Sequence, residues 1–585
     1  MAAGKGGVPL ARVLLATEGT YPYYQGGVSV WCDTLVRELD DVDYRVLAVA
    51  TSPYVQSVFA FPANVGEVKG FPLWGIRDPA ENRVDLKFSA VLLRKQRTRA
   101  AIVESLFLPA FRTFLDGLVA DEPDLDAMGA AVAAMHRYFQ TYDYLLTWRS
   151  PRVFETFKAW LFEAVAAGRM PEPTVFDLVQ GLGWLYHFLM VLDVPIPADT
   201  DLVHSSAAAF CGLIGVVGKL QYGIPYLLTE HGIYLREQYL AVGRSDMGSF
   251  GKRFLVAVVR AVVRLNYRHA DHIAPVCAFN TRWERLLGAA PERIEVIYNG
   301  VSPDVFQPGP SGRAAGGPVE IVSVARSDPN KDLETLLRAI ALVRQRAGVR
   351  VRIYGSVTVP DYHERLLALR LELGLADIVE FAGHTSDVAR VYREADIVVQ
   401  SSVSEAFPYA LIEAMMSGSA VVATDVGGSS EAVGTAGMLV SARDPDALAQ
   451  SITLLALDPA LRARLGEEAR ERALTLFHRT RSIGQYRRAY RTLVARRPRH
   501  QRAEREVLLA LHRAIALERT GHPLAALDQL HRALRLGVAG AQSGALLAMI
   551  ARLERQVGDS RRADAHLVAA WLIGRISHGD RRGAA

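Results

Sequence analysis

The sequence predicts an α/β protein built from two doubly wound, Rossmann-like parallel sheets, followed by an all-helical tail. Three observations predict it. Short apolar runs recur along residues 12–17, 202–205, 225–229 and 272–276, and again along 319–325, 350–354, 396–400 and 420–424. Each is followed by a helical pattern, and strands buried on both faces of a parallel sheet read as such continuous runs. A Pro- and Gly-rich stretch, 302–317, separates the two series and is the best domain boundary. Beyond about residue 440 the strand pattern stops and helical periodicity takes over.

The chain has 585 residues, half of them hydrophobic, which is enough for two to four domains with large cores. The net charge of +5 gives no case for nucleic-acid binding and favours small anionic ligands. The three cysteines, Cys32, Cys211 and Cys277, form no CxxC pair, so neither a zinc site nor a disulfide framework is expected. The glycine-rich segment 1–9 leads straight into a strand without the apolar run of a secretory signal. The apolar stretches 207–217 and 254–265 are too short for a membrane span or carry arginine. A soluble, cytoplasmic protein is the expectation.

In the first half, strand 12–17 runs into Glu18-Gly19-Thr20-Tyr21-Pro22, and a helix follows over about 28–39. Gly26 and Gly27 permit a tight turn and let an anion approach the amides at that helix start, although a bare Gly-Gly also fits a plain loop. Gly4-Lys5-Gly6-Gly7 lacks the preceding strand and following Ser/Thr of a phosphate loop. A second strand is predicted over 45–51. Residues 52–198 read as a mostly helical, aromatic-rich insertion whose rings serve a core and could shape an acceptor cleft. Asp199-Thr200-Asp201 has the spacing of a metal site, but acidic residues before a strand are ordinary turn formers. His231 follows the strand at 225–229 and so stands at the sheet's binding edge, where a structural role fits as well as a functional one. A basic helix is predicted over 251–269, a helix start at Cys277-Ala278-Phe279-Asn280, and a last strand over 294–298 ending in Asn299-Gly300.

In the second half, Arg326 and Lys331 flank the turn after strand 319–325, where two fixed charges and free helix amides suit a diphosphate. Such charge-assisted contacts are worth roughly 1.5–3 kcal/mol each. The stretch from Ser401 to Gly418 lies at another strand-to-helix corner, with the helix opening near Pro408. Its carboxylates, Glu405 and Glu413, are eight residues apart, about 12 Å at helical rise. That suits two acceptors holding opposite ends of one polyhydroxyl ligand better than a proton-sharing pair. Asp425-Val426-Gly427-Gly428 makes a further glycine corner. Helices follow over 444–457, 459–476 and 480–495. The arginine-rich run 491–505 reads first as a solvated linker and second as a contact for an anionic surface. The tail carries two similar helical hairpins: 516–522 is echoed by 551–559, an offset of about 35 residues like that of tetratricopeptide (TPR) repeats.

Glu405 and Glu413, the basic pair Arg326 and Lys331, and the Gly26-Gly27 loop together resemble the motifs of the family 4 glycosyltransferases of the GT-B fold. The resemblance covers about residues 10–495. Glu18-Gly19-Thr20-Tyr21-Pro22, the run from His231 to Glu237, Pro275-Val276-Cys277 and the long insertion look most like the PelF-type enzymes of Pel exopolysaccharide synthesis. The resemblance implies domains at 1–305 (acceptor side, with the insertion at about 52–198) and 318–478 (nucleotide-sugar side), a closing helix at 479–499 and a TPR-like tail at 500–585. It implies a UDP-sugar donor, most simply UDP-glucose, a glycan acceptor, retention at the anomeric carbon, and no metal or cofactor. Glu405 would then bind the donor sugar's hydroxyls and Glu413 the ribose. The backbone around Phe407, Pro408 and Tyr409 would hold the sugar, and His231 would approach the anomeric region from the other domain. Asn280 is a further substrate-binding candidate. Location at the inner face of a membrane beside a polysaccharide synthase is a further implication. The rivals are a non-catalytic scaffold that binds nucleotide sugar and a sugar-nucleotide epimerase on the same fold.

Overall fold

The computed structural model describes residues 9–83, 86–309, 317–496, 514, 517–518, 523–535 and 541–579. Two six-stranded parallel sheets organise it. The first takes β1 (Ala11–Glu18), β2 (Val42–Ala50), β3 (Val65–Pro72), β4 (Leu202–Ser205), β5 (Tyr226–Glu230) and β6 (His272–Pro275). The second takes β7 (Val319–Val324), β8 (Val349–Tyr354), β9 (Val379–Gly383), β10 (Ile397–Gln400), β11 (Ala420–Thr424) and β12 (Met438–Val440). Their spatial orders are β3-β2-β1-β4-β5-β6 and β12-β11-β10-β7-β8-β9. These are the same doubly wound topology twice. Strand order reverses between β1 and β4 in one sheet and between β7 and β10 in the other, and ligands bind outside the carboxyl ends of strands at such switch points.

Burial explains why the apolar runs became strands. Every residue of β4, β5 and β11 is buried. In β1, Leu14 and Ala16 face a core built with Phe107, Phe111 and Trp160 of the insertion. Val13 and Leu15 face the opposite core, with Trp31, Tyr486 and Tyr490. The last two rings belong to the helix Arg479–Ala495, which leaves the second sheet and crosses back onto the first. It is anchored there through His204, whose Nδ1 lies 2.7 Å from the Tyr490 hydroxyl and whose Nε2 lies 2.8 Å from Thr229 Oγ1.

The structure corrects two readings and decides a third. The insertion holds a strand, β3, that its sequence hides: Gly66, Glu67, Lys69 and Gly70 interrupt the apolar pattern because this is an edge strand with a half-exposed face. The strand expected at 294–298 does not form. Ile294 makes an isolated bridge to Ile273, and Glu295 and Ile297 donate to the carbonyls of Ile273 and Pro275, before the chain departs toward the second sheet. Asp199 and Asp201 sit at the amino end of β4, away from the switch point, and are engaged by Arg45 and Arg12. They are turn and ion-pair residues. One segment, Val175–Asp193, has the length and hydropathy of a membrane span, with a third of its window buried. In the fold it is a helix, Val175–Phe188, and a tight turn, Leu189–Asp193, the turn lying in the core. All three cysteines are buried and free.

In the tail, the helix Pro523–Arg535 packs on Ala541–Gln556 through Leu527, Leu530, Leu546 and Ile550, and the helix Ser560–Gly579 follows. Much of the basic run 491–505, part of the first repeat (516, 519–522), the later part of the domain boundary stretch at 310–316, and Gly4-Lys5-Gly6-Gly7 lie outside the described residues.

Two carboxyls are buried near the sheet edge. Burial pushes Glu230 up to about 8 and Glu284 up to about 9, and neither Glu284 oxygen has a hydrogen-bond partner. A carboxyl raised in the folded chain costs nothing at low pH. It costs progressively more as pH climbs from its ordinary value toward the folded one, because only the unfolded chain gains by ionising. Glu284→Gln is therefore expected to stabilise the protein at pH 8 by more than about 1.4 kcal/mol, the worth of one pKa unit. The gain should shrink toward zero near pH 4. Thermal unfolding across that range checks it, and a pH-independent difference would refute the assignment.

Candidate functional site

The site lies where the two switch points face each other. From the second sheet, the loop after β7 carries Arg326 and Lys331. Asp328 caps a short turn, Pro329–Lys331, by accepting from the Asn330 amide at 2.8 Å. Asp332 then adopts a left-handed backbone, φ 46°, and caps the helix Leu333–Val343. A non-glycine residue held in that region marks a locally over-determined loop. The loop after β10 is tied to it: Ser401 Oγ donates to the Lys331 carbonyl at 2.9 Å, and the Val403 amide donates to the Asn330 carbonyl at 2.9 Å.

These ties bring Lys331 Nζ to 2.6 Å from Glu405 Oε1, across 74 residues of sequence. Ser402 Oγ donates to the same oxygen at 2.6 Å. The glycine corner after β11 closes the loop from the other side. A methyl group added at Gly427, φ +59°, would stand 1.6 Å from the Glu405 carbonyl oxygen, and the Gly428 amide donates to the Ala406 carbonyl at 2.7 Å. Phe407 is buried, stacked on Tyr298 at 5.0 Å, and its carbonyl accepts from Asn299 Nδ2 at 3.2 Å. Pro408 caps the helix Tyr409–Met416. On that helix Glu413 accepts from the Tyr392 hydroxyl at 3.3 Å, and burial pushes its carboxyl up to about 7.

From the first sheet, the helix Gly27–Glu38 starts after the Gly26-Gly27 loop, and a side chain at Gly27 would meet the Tyr409 ring at 3.3 Å. His231 follows β5. Its ring lies 4.6 Å from Trp31, its Nε2 is buried without a partner, and burial lowers its pKa to about 3. Arg236 reaches across to Ser404 Oγ at 2.6 Å. The amides of Ala278 and Phe279 donate to Glu431, and Tyr298 donates to the same carboxylate.

Lys331, Glu405, Phe407, Pro408, Tyr409, Glu413, Gly26 and Gly27 are thus gathered around one seam. One expected member stands apart. The Arg326 side chain is 54% exposed and lies 3.9 Å from the Asp328 carboxylate, so it does not join the Lys331–Glu405 pair. Asn280 is buried, with an unpartnered amide nitrogen. Four residues that support the site were given no role from the sequence: Ser402, Tyr392, Arg236 and Glu431. Each acts through a contact distant in sequence or through its place in the fold, and a loop pattern carries no sign of that.

The family described as "Glycosyl transferases group 1" matches residues 310–472, and a domain of unknown function, DUF3492, matches residues 11–292. A D-inositol 3-phosphate glycosyltransferase of Acidothermus cellulolyticus is 31% identical over 323 residues, which cover 52% of this chain and 69% of that one. Another from Catenulispora acidiphila is 33% identical over 298 residues, 47% of this chain and 67% of that one. Among solved structures, the sucrose-phosphate synthase of Thermosynechococcus elongatus shares the fold with a TM-score of 0.53 at 20% identity, covering 83% of this chain and all of that one. Anabaena HepE, solved with UDP and glucose, does so with a TM-score of 0.50 at 17% identity, covering 82% and 99%. With two Rossmann-like sheets in the GT-B arrangement and curated relatives above 30% identity across two thirds of their length, this chain belongs to the group 1 glycosyl transferases.

Proposed function

We propose that the protein transfers a hexose, glucose in the simplest case, from a UDP-sugar to a growing polysaccharide or other glycan, with retention at the anomeric carbon. The Lys331–Glu405 pair at the β7/β10 switch point carries this reading. Breaking a sugar–diphosphate bond puts negative charge on the leaving diphosphate. Lys331 and the amides of the Gly26-Gly27 loop would stabilise it, with the more exposed Arg326 contributing less. Glu405 is already bound by Lys331 and Ser402, which suits it to holding sugar hydroxyls and not to attacking carbon. Same-face substitution then follows, with the departing phosphate taking the acceptor's proton. Glu413, beside Tyr392, would accept from the ribose hydroxyls. Closure of the two sheets over the donor would exclude water. HepE's complexes with UDP and with UDP-glucose support a uridine nucleotide in the donor. An exopolysaccharide product of the PelF type, delivered beside a membrane synthase, is the narrower form of the proposal.

Calorimetric titration with UDP-glucose, UDP-galactose, UDP-N-acetylglucosamine and GDP-mannose tests the donor. Micromolar binding of one UDP-sugar is expected; none binding would remove the donor reading, and binding without turnover on any acceptor would turn it toward a scaffold. Product formed without any acceptor would turn it toward an epimerase. Donor affinity should also depend on pH. Ribose binding needs the Glu413 carboxylate, and the free protein holds it protonated below about 7. Affinity is therefore expected to fall about tenfold from pH 8 to pH 6, one pKa unit below the titration point. A flat profile in the parent, or an unchanged slope in Glu413→Gln, would remove Glu413 from the donor site. Deleting the residues after 499 is expected to leave donor affinity within about twofold, since the described contacts of the site all lie before it.

A further inference from the structure

Two cavities lie off the carboxyl edge of the first sheet, and nothing above uses them. The nearer one, about 300 Å³, is walled by Trp74, Phe188, Phe210 and Tyr234, with Glu18 and Gln238 as its polar groups. The farther one, about 460 Å³, is walled by Trp148, Phe154 and Tyr186, with Arg77, Arg149 and His187 around them. A single stacked pair separates them: the Trp74 and His187 rings lie 4.1 Å apart, 30° from parallel. Trp74 belongs to the near cavity and His187 to the far one.

The near cavity adjoins the donor loops through one helix. On Tyr234–Arg244, Tyr234 and Gln238 are one turn apart and line the cavity, while Arg236 between them donates to Ser404, the neighbour of Glu405. Glu18 is fixed within the cavity wall, accepting from the Tyr234 hydroxyl at 3.0 Å and the Cys211 amide at 2.8 Å. The far cavity is built wholly from the insertion and the residues just after Trp74.

Resting on the donor reading above, we infer that these cavities are consecutive subsites for a linear oligosaccharide acceptor. Its terminal sugar sits by Glu18 and Gln238, and its earlier sugars pass over the Trp74–His187 pair to the Trp148–Tyr186 cavity. Sugar rings match this lining because their C–H faces are apolar and their rims are hydroxyls. Flat aromatic faces meet the first, and carboxyl, amide and guanidinium groups meet the second. A lipid chain would have no use for the polar groups in the near cavity. A single-sugar acceptor would leave the far cavity without a role, so the insertion becomes the device that reads chain length.

The test is calorimetry on the full chain with cello-, chito- and malto-oligosaccharides of one to six units, each with and without UDP. In at least one series, affinity is expected to rise at least tenfold from the monomer to the tetramer. Trp148→Ala should erase that rise, and the surface variant Arg149→Ala, safer for folding, should reduce it at least threefold. Trp74→Ala should weaken short and long oligomers alike. No gain with length in any series, or a gain that survives both Trp148→Ala and Arg149→Ala in folded protein, overturns the inference. UDP-sugar titration of the same samples separates the two readings: lost donor binding in the parent defeats the donor assignment, whereas intact donor binding without a length effect defeats the acceptor track alone.

Discussion

Lys331→Ala is expected to lower the rate of UDP release in the presence of acceptor by two to three orders of magnitude, and to weaken donor binding at least tenfold, about 1.4 kcal/mol. The ammonium stands 2.6 Å from Glu405 Oε1, and the two side chains are 24% and 11% exposed. At that burial the pair is not screened as a surface ion pair would be. Removing the lysine does two things at once. It takes away the fixed cation where leaving-group charge develops, and it leaves a carboxylate held by Ser402 facing an anionic donor. Arg326→Ala offers the contrast. Its side chain is 54% exposed and only 3.9 Å from Asp328, so its loss should cost about tenfold in rate or less. Rates of both variants within threefold of the parent, with the fold intact, would remove the proposed diphosphate site.

The parallel sheets were legible because their strands are buried on both faces. Runs such as Val398-Val399 and Val421-Val422-Ala423 have no polar face to disguise them. The edge strand β3 was not, since Glu67 and Lys69 belong on its exposed side and break the run. The site divides the same way. Glu405, Arg326 and Lys331 were readable because they occupy strand-to-helix corners, which local pattern locates, and Glu413 because it follows one on the helix Tyr409–Met416. That Glu405 closes on Lys331, while Arg326 swings out beside Asp328, depends on how two loops 74 residues apart are tied by Ser401 and Val403. The return of the helix Arg479–Ala495 to the first sheet was equally hidden, because His204 and Tyr490 meet only once both sheets exist.

Gly427→Ala is expected to abolish measurable transfer, a loss of at least a hundredfold, although the residue touches no substrate in the proposed mechanism. Two costs combine there. A left-handed φ of +59° strains any residue with a Cβ by about 1 kcal/mol. The added carbon would also stand 1.6 Å from the Glu405 carbonyl oxygen and 2.7 Å from its carbonyl carbon. Those are backbone atoms, so no side-chain rotation relieves the clash. The Glu405 segment itself must move, and with it the carboxylate that meets Lys331. Gly374→Ala separates the two costs. Gly374 has a similar φ, +65°, with nothing within 4 Å of an added methyl. That variant should lose about 1 kcal/mol of stability and keep full donor affinity and turnover. If Gly427→Ala behaved like Gly374→Ala in both measurements, the Glu405 loop would be more pliant than its packing indicates. A rigidly held carboxylate could then no longer be part of how the donor sugar is bound.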